Sequence, residues 1–177
     1  MGTCHIGHDC KLGDGNILAN GTLLGGHVIM QNHVHTGGGV AVHQRCQIDS
    51  YAFVGGGSMV VRDVPMYAMV TGDRAELCGL NLEGLRRHRF SHDEMRKIKQ
   101  AYHKLFMIRE GRLEDRLALV ESSKEMMSIQ AVARMIDSVK GCLGDNRREL
   151  MHGLLELSIA DQNCALKVLR MNITHER

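Results

Sequence analysis

The sequence predicts a β plus α protein: a parallel β-helix of hexapeptide repeats over residues 1–71, followed by an α-helical domain over residues 72–177. Three observations carry that expectation. Every sixth residue from Ile6 onward (Ile6, Leu12, Leu18, Leu24, Met30, Thr36, Val42, Ile48, Val54, Val60) is apolar except Thr36. Four places after each comes a small or compact residue, from Cys10 and Asn16 through Cys46 and Ala52 to Ser58 and Val64. Beyond the single proline, Pro65, the composition turns helical and carries capping signals.

A period of six fits neither an α-helix nor a half-buried strand, but it does fit a stacked hexapeptide solenoid. Each unit would form one short strand and one corner, and three units would close a triangular coil. Ten units therefore make a little over three coils. The apolar residue fills the interior and the small one fits where the wall turns. The glycine that often follows the apolar residue, as at Gly7, Gly13, Gly25, Gly37 and Gly55, is expected to relieve corners needing unusual dihedrals.

In chain order, Met1 to His5 lead straight into the repeat. An uncapped first coil would offer bare strand edges, so further coils are expected before Met1 in an intact protein. Pro65 removes a strand donor and ends the ladder, with an extended connection over 66–73. A short helix is expected over 80–88. Ser91-His92-Asp93-Glu94 is a capping box that opens a longer one, with Met95, Ile98, Tyr102 and Leu105 on one face and an end near Gly111. Amphipathic stretches follow at about 113–124, 128–140 and 146–170, with Gly141 and Gly144 as the clearest break.

Composition narrows the function. Hydrophobic residues make up 44% and aromatics only 3%, which suits a thin prism filled by aliphatic layers. Lys plus Arg is 22 against 20 acidic residues, and the resulting +2 gives no case for nucleic acid or a membrane surface. No run is long enough to span a bilayer, and the N-terminus shows no targeting segment. The six cysteines form no CxxC pair or metal-finger spacing. Cys10 and Cys46 lie two coils apart on one inner column, at about 4.8 Å per layer, which exceeds disulfide reach. They read as small buried residues in a reducing compartment.

Histidine placement carries the chemistry. Six of the eleven histidines precede residue 44. Residues 18 apart occupy the same point on successive coils, so His8, Gly26 and Gln44 form a column, with His27 one step past it and His43 one step before. His5 belongs to the same edge. The expected result is one polar ridge, with Asp9 placed to accept the Nδ1 proton of His8. His33 and His35 fall elsewhere on the coil and read as structural.

The runs His5-Ile6-Gly7-His8-Asp9-Cys10, Ile17-Leu18-Ala19-Asn20, Gly25-Gly26-His27-Val28, Val42-His43-Gln44, Gly55-Gly56, Asp63-Val64-Pro65 and Gly79-Leu80-Asn81-Leu82-Glu83-Gly84-Leu85-Arg86-Arg87 match a known pattern in order and spacing. They resemble the UDP-N-acetylglucosamine O-acyltransferase family, which catalyses the first step of lipid A biosynthesis. The likeness covers roughly 1–90, with a weaker echo after Ser91. It implies a homotrimeric left-handed β-helix that moves an (R)-3-hydroxyacyl group from acyl carrier protein to the 3-hydroxyl of UDP-N-acetylglucosamine, with no cofactor and no metal.

By that likeness His8 is the general base, Asp9 holds it, and the backbone N–H of Gly26 stabilises the thioester oxyanion. His5, Asn20, His27, His43, Gln44, Asn81, Glu83 and Arg87 match positions lining the sugar-nucleotide and carrier cleft between subunits. Gly56 matches the position limiting acyl length, where glycine leaves room for a longer chain. The basic run Arg86-Arg87-His88-Arg89 fits phosphate or an acidic carrier. Arg74-Ala75-Glu76-Leu77 looks like the plant-type members, which act in mitochondria; bacterial members are cytoplasmic.

The resemblance has departures. His88 stands where the family is usually basic, Arg45 stands where an aromatic is expected, and the family's earlier coils are missing. Two other readings stay open: a catalytically inactive trimeric scaffold or truncated product, and a zinc enzyme of the carbonic anhydrase type. The last fits less well, because it wants two histidines five residues apart, a spacing found nowhere in this chain.

Overall fold

The computed structural model describes residues 1–108 and 110–143. Ten two-residue strands recur every six residues: β1 (His5–Ile6), β2 (Lys11–Leu12), β3 (Ile17–Leu18), β4 (Leu23–Leu24), β5 (Ile29–Met30), β6 (His35–Thr36), β7 (Ala41–Val42), β8 (Gln47–Ile48), β9 (Phe53–Val54) and β10 (Met59–Val60). They wind into a left-handed parallel β-helix with three walls. The first wall is β1-β4-β7-β10, the second β2-β5-β8, and the third β3-β6-β9. Register runs from each residue to the one 18 further on, as in His5↔Leu23, Lys11↔Ile29 and Ile17↔His35.

Three edges separate the walls. Turn residues 8–9, 26–27 and 44–45 lie between the first and second walls, 14–15, 32–33 and 50–51 between the second and third, and 2–3, 20–21, 38–39 and 56–57 between the third and first.

Both repeating positions point inward. Leu24, Met30, Val42, Ile48, Val54 and Val60, with Val28, Val34, Val40, Cys46, Ala52 and Val64, are all at most 4% exposed. Burying each of the Val, Leu, Ile and Met side chains stabilises the coil by about 1.5–3 kcal/mol. Thr36, the polar exception, is satisfied within the core. Its hydroxyl pairs with that of Thr22 at 2.8 Å, and Thr22 in turn donates to the Ala19 carbonyl at 2.9 Å. In the first coil Ile6 and Leu12 are 42% and 40% exposed, because no described coil lies beneath them.

The glycines that directly follow the apolar residue do a different job from the one expected. Left-handed φ values of 54–72° fall three residues after each repeating apolar position, two past the place where Gly7, Gly13, Gly25, Gly37 and Gly55 stand, at Thr3, Asp9, Gly15, Gly21, His27, His33, Gly39, Arg45, Tyr51 and Gly57. Gly7 and Gly25 are required by proximity instead. A Cβ on Gly7 would lie 2.7 Å from the carbonyl carbon of Gly25, and one on Gly25 would lie 2.7 Å from the Gln44 nitrogen. The next coil's backbone occupies the space a side chain needs.

The wall does not stop at Pro65. β11 (Ala68–Thr71) pairs in parallel with β9, and β12 (Glu76–Leu80) pairs antiparallel with β11 through a bulge between Met69 and Val70. The extended connection expected over 66–73 is thus largely a strand. Ala68 and Val70 are buried and their neighbours half-buried, so the inward alternation resumes after the proline. This hairpin lies on both sides of the 71/72 division drawn from the sequence.

The helices are α1 (Leu82–Arg87), α2 (His92–Tyr102), α3 (Leu113–Ser122), α4 (Lys124–Met127) and α5 (Gln130–Cys142). Asn81 caps α1 by accepting from the Gly84 N–H at 2.9 Å. α2 opens with the expected Ser91–Glu94 capping box and ends in a π-helical turn over His103–Met107. Ile98, Tyr102 and Leu105 are buried on its inner face. The stretch read as 113–124 breaks at Ser123, and the stretch read as 146–170 lies outside the described residues. No described helix is long and apolar enough to cross a membrane.

A buried polar junction ties α5 to the β-helix. The Ser138 hydroxyl donates to Asp49 Oδ2 and accepts the Met66 N–H at 2.9 Å, while Gln47 Nε2 donates to Asp49 Oδ1 at 2.6 Å. Ser138→Ala removes a donor from a buried carboxylate and an acceptor from a backbone N–H. The expected cost is about 1–3 kcal/mol, read as a lower urea midpoint at unchanged slope. An unchanged midpoint would mean that the junction contributes nothing to stability.

Candidate active site

The edge between the first and second walls gathers the predicted ridge. His8 and Asp9 are adjacent in the first turn, and Gly26 and His27 stand one coil above, joined by the His27 N–H donating to the His8 carbonyl at 2.9 Å. His8 Nδ1 lies 2.8 Å from Asp9 Oδ2. A carboxylate only accepts, so Nδ1 carries the proton and Nε2 of the neutral ring presents its lone pair outward. The His27 ring meets the His8 ring edge-on at 4.9 Å between centroids, and His27 Nε2 is 3.9 Å from Asp9 Oδ2.

Gly26 is in contact with the His8 ring. A Cβ there would come within 2.6 Å of His8 Nε2, so any larger residue would displace the imidazole. Its backbone N–H makes no hydrogen bond with a described residue, whereas the comparable turn N–H groups of Gly2, Asp14 and Asn32 donate to the side chains of Asn20, Asn32 and Ser50. Gly26 thus leaves a backbone donor open beside the His8 ring. The Gly26 carbonyl accepts from Arg45 at 3.0 Å, which fixes the third layer. There His43 Nδ1 lies 3.3 Å from the Gln44 carbonyl, and both side chains are exposed. His5 is exposed on β1, three residues before His8.

The remaining residues lie elsewhere on this chain. Asn20 and Gly56 occupy the edge between the third and first walls, where Asn20 Oδ1 accepts the Gly2 N–H at 3.1 Å. Asn81, Glu83 and Arg87 belong to α1 and its cap, anchored at the edge between the second and third walls by Asn81 Nδ2 donating to the Tyr51 carbonyl at 2.9 Å. Glu83 pairs with both Arg86 and Arg87. The resemblance puts all of these side chains in one cleft, yet a single prism holds them on three different edges.

The two histidines read as structural belong to ring ladders the sequence reading passed over. His33 stacks on Tyr51, 18 residues on, at 5.1 Å and lies 4.4 Å from His88, while His35 meets Phe53, also 18 on, at 5.4 Å. Burial and then the nearby Arg87 charge hold the His35 pKa below its ordinary value. The 18-residue spacing of these pairs was the available signal.

Comparisons with known proteins identify the family and agree with the fold. A family profile described as UDP-N-acetylglucosamine O-acyltransferase, domain 2, matches residues 63–150. A protein of Arabidopsis thaliana named a probable mitochondrial acyl-(acyl-carrier-protein)–UDP-N-acetylglucosamine O-acyltransferase is 52% identical over 126 residues, covering 70% of this chain and 38% of that protein. The same-named enzyme of Anaeromyxobacter sp. strain K, without the mitochondrial label, is 40% identical over 141 residues, covering 80% of this chain and 54% of that one. The crystal structure of Arabidopsis UDP-N-acetylglucosamine acyltransferase superposes with a TM-score of 0.82 at 50% identity, covering 84% of this chain and 52% of that one. The chain belongs to the UDP-N-acetylglucosamine O-acyltransferase family.

As a member of that acyltransferase family, the chain spans 38% of the Arabidopsis protein and 54% of the Anaeromyxobacter one. The edge that bears His8 also differs from the other two in its corners. Its left-handed residues are Asp9, His27 and Arg45, with no glycine among them, whereas the edge between the third and first walls has Gly21, Gly39 and Gly57 there.

Two outcomes follow at this edge. A side chain in the left-handed region costs about 1–2 kcal/mol and glycine's extra chain entropy about 0.5–1 kcal/mol, so His27→Gly is expected to raise stability by roughly 0.5–1 kcal/mol. A calorimetric midpoint below that of the parent chain would contradict this. The hydrogen bond from His8, then the charge of His27, hold the Asp9 carboxyl below the usual carboxylate range. Because the folded-state value is depressed, the interaction is fully present above the ordinary value and is lost as pH falls through the lowered one. A carbon-detected NMR titration of Asp9 should show a low midpoint that moves up toward the ordinary value in His8→Ala.

Proposed function

We propose that this chain carries the acyl-transfer centre of its family: transfer of an (R)-3-hydroxyacyl group from acyl carrier protein to the 3-hydroxyl of UDP-N-acetylglucosamine, with His8 as general base, Asp9 as its positioning partner and Gly26 as oxyanion donor. The single observation that supports it most is the 2.8 Å contact between His8 Nδ1 and Asp9 Oδ2, beside a Gly26 that touches the same ring.

The chemistry runs from these atoms. Asp9 accepts the Nδ1 proton, fixing the tautomer in which Nε2 takes the proton from the sugar hydroxyl. The hydroxyl oxygen attacks the thioester carbonyl, and the charge that develops on the carbonyl oxygen is met by the open N–H of Gly26. Collapse breaks the carbon–sulfur bond, and His8 returns its proton to the departing thiolate. The products are an ester and the carrier's free thiol, so His8 ends as it began and no cofactor is needed.

The reading places a second copy of the chain over this edge. His8, Asp9 and His27 have side chains 74%, 67% and 48% exposed, and a general base in bulk water gains little from orientation. A threefold assembly sets one prism against the next, which is how His5, His43 and Gln44 of one copy would share a cleft with residues at another copy's edges: Asn20, or Asn81, Glu83 and Arg87. Gly56, with its exposed position and no side chain, would set the length of acyl chain admitted. The likeness to a plant relative named as mitochondrial supports the mitochondrion as the compartment; the bacterial relatives support cytoplasm for a bacterial chain.

A thiol-release assay with hydroxyacyl carrier protein and UDP-N-acetylglucosamine tests the assignment. His8→Ala is expected to lower kcat by at least about 10²-fold, the range general bases contribute, with the melting temperature little changed. A variant that releases thiol at the parent rate would remove His8 from the mechanism.

A further inference from the structure

The His8 edge combines three metal-binding side chains that the acyl-transfer reading uses only for proton chemistry. One ligand atom each from His8, Asp9 and His27 can be chosen so that all three lie within 4.8 Å of one another. The measured separations are 2.8 Å from His8 Nδ1 to Asp9 Oδ2 and 3.9 Å from Asp9 Oδ2 to His27 Nε2. Donors held at 2.0–2.2 Å around a tetrahedral ion stand about 3.3 Å apart, between those two values. Both imidazoles are exposed, so their rings are the parts free to turn toward that spacing.

The backbone is well fixed for such a role. Asp9 and His27 both occupy left-handed corners, at φ 57° and 60°, and the 2.9 Å bond from the His27 N–H to the His8 carbonyl ties their coils together. The donors therefore come from two stacked layers rather than from one flexible loop.

We infer that His8, Asp9 and His27 form a binding site for a divalent transition-metal ion, and that occupation shuts off the acyl transfer proposed above. Two imidazoles and a carboxylate favour zinc, copper, nickel or cobalt over magnesium or calcium, which prefer all-oxygen sets. The ion takes the place of the proton shared by His8 and Asp9. If it binds His8 Nδ1, the ring proton moves to Nε2; if it binds Nε2, the lone pair is consumed. Either way the imidazole can no longer accept the sugar hydroxyl's proton. The ion is an inhibitor on this reading, not a cofactor, and no electron transfer is involved. The family resemblance implies no metal, and the spacing that disfavours a carbonic anhydrase site is two histidines five residues apart, whereas these two are 19 apart, one coil plus one step.

The inhibitory half rests on the acyl-transfer reading, and the binding half does not, so the two are measured separately. Co²⁺ titrated into the full chain is expected to give a visible ligand-field absorption saturating at one ion per chain, and added Zn²⁺ is expected to bleach it. Asp9→Asn and His27→Ala should each weaken Co²⁺ binding by at least about 100-fold, the upper end of what outer partners of a metal site contribute. His92→Ala, on the exposed start of α2, should bind as the parent does. Asp9→Asn keeps the side-chain shape, so it serves even if His27→Ala folds poorly. Absence of the band, or a band of parent affinity in Asp9→Asn, overturns the site. In the thiol-release assay, Zn²⁺ should inhibit and a chelator should restore the rate. A chain that binds Co²⁺ but whose acyl transfer is unaffected by saturating Zn²⁺ overturns the inhibitory role, while a chain with no acyl transfer at all leaves the binding titration standing on its own.

Discussion

Everything in the β-helix depends on one constraint, the parallel ladder that sets each residue over the one 18 positions on. Short strands of two residues give little pairing energy individually. They persist because each coil buries one complete apolar layer against the next, so adding a layer adds both hydrogen bonds and burial. The same ladder fixes function. Asn20 above Gly2, Asn32 above Asp14 and Ser50 above Asn32 use the register to cap turn N–H groups with the side chain of the neighbouring coil. At the His8 edge the residues in the equivalent column are Gly26 and Gln44, and no such cap forms. A backbone donor is left available there, whereas Gly2, Asp14 and Asn32 spend theirs on the neighbouring coil.

The edges divide the labour between stability and chemistry. Left-handed corners are cheapest with glycine, and the edge of Gly21, Gly39 and Gly57 takes that route at three of its four corners. The His8 edge places Asp9, His27 and Arg45 in the same backbone state. The cost of about 1–2 kcal/mol for each is offset by the packed core of the same coils, where Val28, Val34, Val40 and Cys46 are fully buried. The left-handed turn is also what brings the Asp9 carboxylate back against the ring of the residue before it. On the acyl-transfer reading, local strain and local function are here one feature.

The repeat, the two inward columns, the capping box at Ser91 and the ridge of His8, Gly26 and His27 were all legible, because each is set by spacing alone. The glycine role was misread since a sequence shows that Gly7 and Gly25 lack side chains but not whether dihedral or neighbour demands it; the 2.7 Å approach of the next coil decides the matter. β11 was missed because Pro65 signals an end to pairing, while the resumed pairing depends on β9, whose own position depends on the stack below it. The junction of Ser138 with Asp49 joins residues 89 apart and has no local signature. The ring ladders of His33 with Tyr51 and His35 with Phe53 were within reach of the 18-residue rule, but that rule was applied only to the column of His8.

The exposure of the His8 edge follows from the geometry of a prism. The interior of the three-sided solenoid is filled by two residues of each hexapeptide, so among the described residues the coil leaves its edge groups at the surface. A concave site arises only where two such surfaces meet. In the threefold assembly proposed above, rotation about an axis parallel to the coils would bring one edge of each prism against another copy and repeat the contact three times, so that one surface would build three clefts. That arrangement would place residues from separate edges of this chain, such as His8 and Asn20 or Arg87, on opposite banks of the same cleft, which no folding of one β-helix can do. On the acyl-transfer reading, assembly therefore supplies what the ladder cannot: the exclusion of water around a base that the ladder has already oriented.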